Sequence, residues 1–190
     1  MALIRVAGLD LAFANTGLVL ANVDTEAGTF HDIQLHLFTS SAENKKQVRK
    51  NSDDRRRAGE LHDFIQSYCA DRHIMFAEIP VGSQNARAAW SLGIAIGVVA
   101  RTPCPLVEVS PAEVKLVLGK KSASKAEMIA WAHYNHPAAP WLRDREGKLL
   151  NSNEHLADAL AAIYAGMQTA DYRLACTFAA FKKTISRRPV

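Results

Sequence analysis

Cysteine is scarce in this chain. The three that occur among 190 residues, Cys69, Cys104 and Cys176, are odd in number, far apart and in no metal-ligand spacing. A disulfide framework is thereby excluded, and a reducing cytoplasm is the expected compartment. Long apolar runs are missing too. The longest nearly unbroken one, residues 93–100, is far too short to cross a bilayer, so no membrane partner is expected. The N-terminal apolar stretch carries Arg5 and Asp10 and lacks a small-residue cleavage pattern, which argues against a secretory signal. Internal repeats, low-complexity tracts and domain linkers are absent. Neither sign of charge dominates: 23 basic against 19 acidic side chains leave a net charge of +4, only a weak lean toward a polyanionic partner. What is present is ordinary for a folded protein, with 48% hydrophobic and 22% charged residues. The length suits one domain, here expected over residues 1–168, with a C-terminal helical extension and basic tail over 169–190.

Hydrophobic patterning predicts strands over Leu3–Leu9, Leu18–Val23 and Phe30–Phe38, joined by turns at Ala14–Gly17 and Asp24–Gly28. Short turns imply an antiparallel meander. A helix is predicted over about 53–70, with Leu61, Phe64, Ile65 and Tyr68 on one face. A strand over His73–Ile79, a helix over Gln84–Arg101 and a strand over Leu106–Val109 follow. Ser110-Pro111-Ala112-Glu113 reads as a capped helix start, and Ser124-Lys125-Ala126-Glu127 opens another helix. Residues 136–150 read as a loop. A last helix is predicted from Asn153 to about Gln168, and Asn151-Ser152-Asn153-Glu154 reads as its capping box. The fold class is therefore α/β, a mixed five-stranded sheet flanked by helices.

Three acids stand in apolar surroundings. Asp10 closes the first strand between Leu9 and Leu11. Glu78 closes the run Ile74–Ala77. Asp158 interrupts a helix otherwise built for burial, His155-Leu156-Ala157-Asp158-Ala159-Leu160-Ala161. A carboxylate there costs several kcal/mol to desolvate unless it is paired or binds a cation. Each acid alone has a plain structural explanation, as a cap, an ion-pair partner or a strand-end residue. Together they match what a hard cation requires, and Mg2+ takes such oxygen ligands. His155 lies three residues before Asp158, on the same helix face, and is a candidate fourth ligand or proton shuttle.

Four blocks of residues then resemble the RuvC-type Holliday junction resolvases of the ribonuclease H-like superfamily. They are Ala7-Gly8-Leu9-Asp10 with Asn15-Thr16-Gly17; Phe76-Ala77-Glu78 with Asn85-Ala86 and the helix through Gly93 and Gly97; Ser110–Lys115 with Gly119 and Ser124-Lys125; and His155–Ala161. They run in family order from residue 7 to about 162. The resemblance implies a ribonuclease H-like fold and an endonuclease that nicks four-way or other branched DNA symmetrically, leaving 5′-phosphate and 3′-hydroxyl ends. It implies Asp10, Glu78 and Asp158 as metal ligands, with His155 at the fourth position, and two Mg2+ (or Mn2+) ions per site. It further implies Lys115 and Lys125 as DNA contacts and a homodimer packed through the helix over Gln84–Arg101. The long charged segment over residues 39–57 and the loop over 136–150 depart from the pattern, as in phage-encoded relatives.

Other signals carry less. Lys120 and Lys121 add to the expected DNA-binding surface. Residues 45–57 hold seven basic and two acidic side chains. Such a run is a solvated face or, beside a nuclease site, a phosphate-contact surface. His133 and His136 have zinc-like spacing but no further ligands nearby. The tryptophans read as packing residues, with Trp141 in the loop a candidate for base stacking. A silent branched-DNA-binding protein and a nuclease acting on RNA are the rival readings. A two-lobed sugar-kinase fold would need a far longer chain.

Overall fold

The structure is a computed structural model that describes residues 3–43, 49–80, 82–83, 85–174 and 176–177. In chain order it contains β1 (Leu3–Asp10), β2 (Asn15–Asp24), β3 (Phe30–Thr39), α1 (Lys50–Cys69), β4 (Ile74–Glu78), α2 (Ala86–Val99), β5 (Leu106–Val109), α3 (Pro111–Leu116), α4 (Lys125–Asn135) and α5 (Asn153–Gly166). The strands form one sheet in the order β3-β2-β1-β4-β5. The first three are antiparallel neighbours, and β4 and β5 join in parallel. This is the expected mixed sheet, with β1 at its centre.

Alternation along the strands sorts the core into two layers. Ile4 and Val6 of β1, with Ile74 and Phe76 of β4, face α4 and α5. Ala7 and Leu9, with Met75 and Ala77, face α1 and α2. Asp10 and Glu78 have the parity of the first set, so both carboxylates end their strands on the α5 side.

That helix lies unusually close to the sheet, because three glycines leave room for it. A Cβ on Gly8 would fall 2.1 Å from the Ala159 carbonyl oxygen, and one on Gly17 would fall 2.0 Å from that of His155. A Cβ on Gly166 would meet the Phe76 ring at 2.1 Å. Gly8 and Gly17 therefore let backbone meet backbone, and α5 is seated by what these residues lack. By contrast, added Cβ atoms at Gly93 and Gly97 would meet nothing within 4 Å. The two glycines of α2 point away from the rest of the chain.

Elements differ from the sequence expectation mainly at their ends. β2 starts at Asn15, inside the expected turn, because Asn15, Thr16 and Gly17 pair with Thr39, Phe38 and Leu37. The β2–β3 ladder carries a bulge between Leu20 and Asn22. Opposite it, Asp32 takes a left-handed backbone (φ 53°) and accepts a hydrogen bond from Asn22 Nδ2 at 2.7 Å. Ser110 and Ser124 both cap their helices with the reciprocal glutamate contact. Ser152 does not, since its backbone is already helical and its side chain caps nothing. In the box expected at 151–154 the Glu154 N–H goes to the Asn151 carbonyl at 3.0 Å and no side-chain bond joins the two residues, which leaves the Glu154 carboxylate to another task.

The 136–150 segment is ordered by side chains. Asn153 is fully buried and accepts a hydrogen bond from the Leu142 N–H, while its Nδ2 donates to the Leu142 and Leu150 carbonyls. Trp141 is buried, its Nε1 donating to the His136 carbonyl, so it offers no base a stacking surface. His133 contacts Arg143 and His136 contacts Tyr164, so the two histidines serve different neighbours. Beyond α5, residues 170–174 and 176–177 are helical. Tyr172 there packs against Phe76 with ring centroids 5.7 Å apart. Gln84, Lys45, Lys46 and the basic end of the 169–190 extension lie outside the described residues. Among the described residues no helix is long and apolar enough to cross a membrane.

Candidate functional site

Parallel pairing of β1 with β4 makes Asp10 and Glu78 register partners at the carboxyl ends of their strands. Ligand sites of open α/β sheets gather at such strand ends. The first turn of α5, seated over Gly17, brings in His155. Its Nδ1 lies 2.7 Å from Asp10 Oδ2 across 145 residues of chain. Asp158 follows one turn later on the same helix face. The four residues singled out in the sequence thus meet at one end of the sheet.

Charge crowding is evident there. Burial, and then the charges of Asp10 and Asp158, push the Glu78 carboxyl up to about 8. Burial and the charge of Asp10 push Asp158 up to about 7. Both shifts are partly opposed by Lys115, whose ammonium lies close enough to favour the ionised acids. His155 moves up as well, mainly through its hydrogen bond to Asp10. The Glu78 and Asp158 shifts have the same origin, carboxylates gathered out of water at the ends of neighbouring strands and on the facing helix.

The lysines divide. Lys115, in the last turn of α3, and Lys125, in the first turn of α4, converge on the acids. Lys125 Nζ pairs with Glu154 Oε2 at 2.7 Å. Lys120 pairs with Glu127 instead, and Lys121 is exposed beside it.

The donor set of three carboxylates and an imidazole suits a hard divalent cation, and such an ion would relieve the crowding that displaces Glu78 and Asp158. Yet among the described residues no three His, Cys, Asp or Glu side chains close into a ready cage. Part of the reason is visible in the contacts. His155 Nδ1 is engaged by Asp10, and its Nε2 faces Glu154 Oε1 at 3.6 Å.

In the basic run expected to be solvated or to contact phosphate, Arg49, Lys50 and Arg55 are exposed, whereas one basic side chain and both acids turn inward. Asp53, Asp54 and Arg57 are buried. Arg57 lies over the Phe13 ring at 4.4 Å and donates from Nε to Ser40 Oγ at 2.6 Å. Arg56 is held by Asp53, Glu43 and Glu60. Asp54 accepts both guanidinium nitrogens of Arg87 at 2.7 Å and the indole N–H of Trp90 at 3.1 Å, tying α1 to α2. Sequence reasoning missed this clamp, because the acids sit inside a run of opposite charge. It also missed Asn153 and Gly17, which place the first turn of α5.

A central strand tipped with an acid, an antiparallel meander on one side, parallel strands on the other and helices on both faces define a ribonuclease H-like α/β domain. Solved structures of similar architecture are junction resolvases. RuvC of Thermus thermophilus in complex with a Holliday junction substrate superposes with a TM-score of 0.61 at 22% identity, covering 90% of this chain and 94% of that one. A second Thermus thermophilus RuvC structure gives 0.59 at 21% identity, over 85% of this chain and 92% of that one. The fowlpox virus resolvase in complex with Holliday junction DNA gives 0.52 at 11% identity, over 86% and 97%. At these identities the likeness establishes the fold. No family model and no curated protein matches the chain.

Proposed function

We propose that this protein is a divalent-metal-dependent, structure-selective endonuclease of the RuvC type. It resolves four-way DNA junctions, or branched DNA more broadly, by paired symmetric nicks that leave 5′-phosphate and 3′-hydroxyl ends. The observation that carries the reading is the meeting of Asp10, Glu78, His155 and Asp158 at one sheet end, on a fold shared with RuvC.

Asp10, paired in register with Glu78 and hydrogen-bonded to His155 of α5, would hold the ions together with Glu78 and Asp158. Two Mg2+ (or Mn2+) ions held there would activate the attacking water and stabilise charge on the scissile phosphate. His155 holds a proton between its ring and Asp10 and passes it toward the leaving 3′-oxygen. Lys115 and Lys125 bind the phosphate, and Lys120 and Lys121 extend the positive surface along the strand. Paired nicks need two sites. The outward face of α2, with Trp90 and Ile96 exposed beside Gly93 and Gly97, supports a homodimer. The cytoplasm, where free cysteines stay reduced, is the matching compartment.

The rival is a protein that binds branched DNA without cutting it, and the three acids together argue against it. Labelled four-way, three-way and flap DNAs, incubated with and without Mg2+ or Mn2+, separate the two. Under the nuclease reading the parent cuts only with metal, and Asp10→Asn and Asp158→Asn bind the junction but leave it whole. A parent that shifts four-way DNA in a gel yet cuts none of the three substrates overturns the nuclease.

A further inference from the structure

Glu154 has no role in the scheme above, and no capping box claims it. Its carboxylate lies between two groups of the site, with Oε2 2.7 Å from Lys125 Nζ and Oε1 3.6 Å from His155 Nε2. The two ends of the lysine contact differ greatly in freedom. The Lys125 side chain is 80% exposed, whereas that of Glu154 is 18% exposed. A lysine on a flexible four-carbon stem has several rotamers open to it and loses that freedom when fixed. Glu154 is already fixed, because it rides on the first turn of α5. That turn is seated against Gly17 and pinned by Asn153. The ammonium so held still feels the charges of Asp158 and Asp10.

Resting on the nuclease reading, we propose that Glu154 is a positioning residue that tethers Lys125 at the mouth of the carboxylate site. The tether sets where the ammonium meets the phosphodiester, instead of leaving it anywhere within the reach of its stem. A surface acid with no such role would only repel DNA, and its removal would tighten binding. The tether makes the opposite demand on turnover. Loss of Glu154 should slow the chemical step while binding holds or improves.

Two measurements test this on the full chain. In metal-free protein, an amine-reactive acetylating reagent read by mass spectrometry should label Lys125 several-fold faster in Glu154→Ala than in the parent, with Lys121 as the internal reference. With four-way DNA and Mg2+, Glu154→Ala should lower kcat about tenfold with KM unchanged or lower. Glu154→Gln, which keeps an acceptor oxygen, should recover part of the loss and serves if the alanine variant melts early. In a Lys125→Ala background, Glu154→Ala should cost nothing further, as a double-mutant cycle requires of a residue acting through its partner. Equal labelling of Lys125 in parent and variant overturns the tether, and so does a kcat loss that persists without Lys125. If the parent cuts nothing, the nuclease reading falls, and the labelling contrast still decides for or against the tether.

Discussion

Replacing Gly17 by alanine should damage the site from the opposite side of a helix that the new methyl does not belong to. The added Cβ would stand 2.0 Å from the His155 carbonyl oxygen and 2.4 Å from its carbonyl carbon. Ordinary contact begins near 3.4 Å, so backbone must give by about 1.4 Å. The atoms in the way belong to main chain, which has no rotamer to change. Because β2 is held between β1 and β3, the first turn of α5 is the part that moves. Overpacking of this kind costs roughly 2–3 kcal/mol. For 190 residues that corresponds to a fall in Tm of about 5–10 °C. The displaced turn carries His155, and an ångström of misplacement in a catalytic group can cost about a hundredfold in rate. Gly59 is the control: it lies exposed in α1, where a Cβ meets nothing within 4 Å. Gly59→Ala should raise stability by about 0.5–1 kcal/mol through helix propensity alone and leave cleavage intact. Thermal melts in EDTA and single-turnover cleavage of a four-way junction read both effects. A Gly17→Ala protein that melts within a degree of the parent and cuts at its rate would refute the close seating of α5.

Three further outcomes are expected. Arg87→Met strands the buried Asp54 with only the Trp90 indole as donor and should cost about 2 kcal/mol at pH 7. Arg87 holds the Asp54 carboxyl below its ordinary value of 3.8, so this stability is present above that pH and fades as acid protonates the folded carboxylate. Urea melts of parent and variant should therefore converge as the pH falls below 3.8, and a constant gap would show that packing, not charge, is at stake. Asn153→Ala leaves the Leu142 N–H unpaired and takes one of two donors from the Leu142 and Leu150 carbonyls, which should cost roughly 1–3 kcal/mol and open residues 142–150 to trypsin at Arg143, Arg145 and Lys148; an unchanged cleavage pattern would dismiss the pin. Gly93→Ala combined with Gly97→Ala should not destabilise an isolated protomer, since neither methyl touches the chain, but should weaken a dimer packed through α2. Sedimentation of the parent as a monomer at micromolar concentration would remove that interface.

The acids of the site were legible in the sequence because each breaks an apolar pattern whose period is local. That Asp10 and Glu78 are register partners was not, since parallel pairing joins residues 68 positions apart through a crossover. The mixed sheet with β1 at its centre followed from turn lengths and from the change to strand–helix alternation, while the full strand order comes from the structure. The close approach of α5 was missed because the glycine that matters most, Gly17, resembles an ordinary turn glycine. The pair in α2, which looks made for contact, meets nothing among the described residues. Glu154 has the spacing of a helix cap from Asn151, but its N–H bonds the Asn151 carbonyl and its carboxylate turns to Lys125. Asp54 was hidden by neighbours of opposite charge, for a sequence average cannot tell that one acid of a basic run turns inward. Trp141 seemed available because loops are usually wet, whereas this loop is pinned down by an asparagine.

Both rims of the sheet are poor templates for strand addition. β3 is bent by the bulge at Leu20/Asn22 and lined outward with His31, Asp32 and Gln34, while β5 at the opposite rim is only four residues long. Joining rim to rim would therefore yield little ladder and a mismatched twist. The sheet that carries the acids is thus closed to growth from either side, and its register is set within a single copy of the chain.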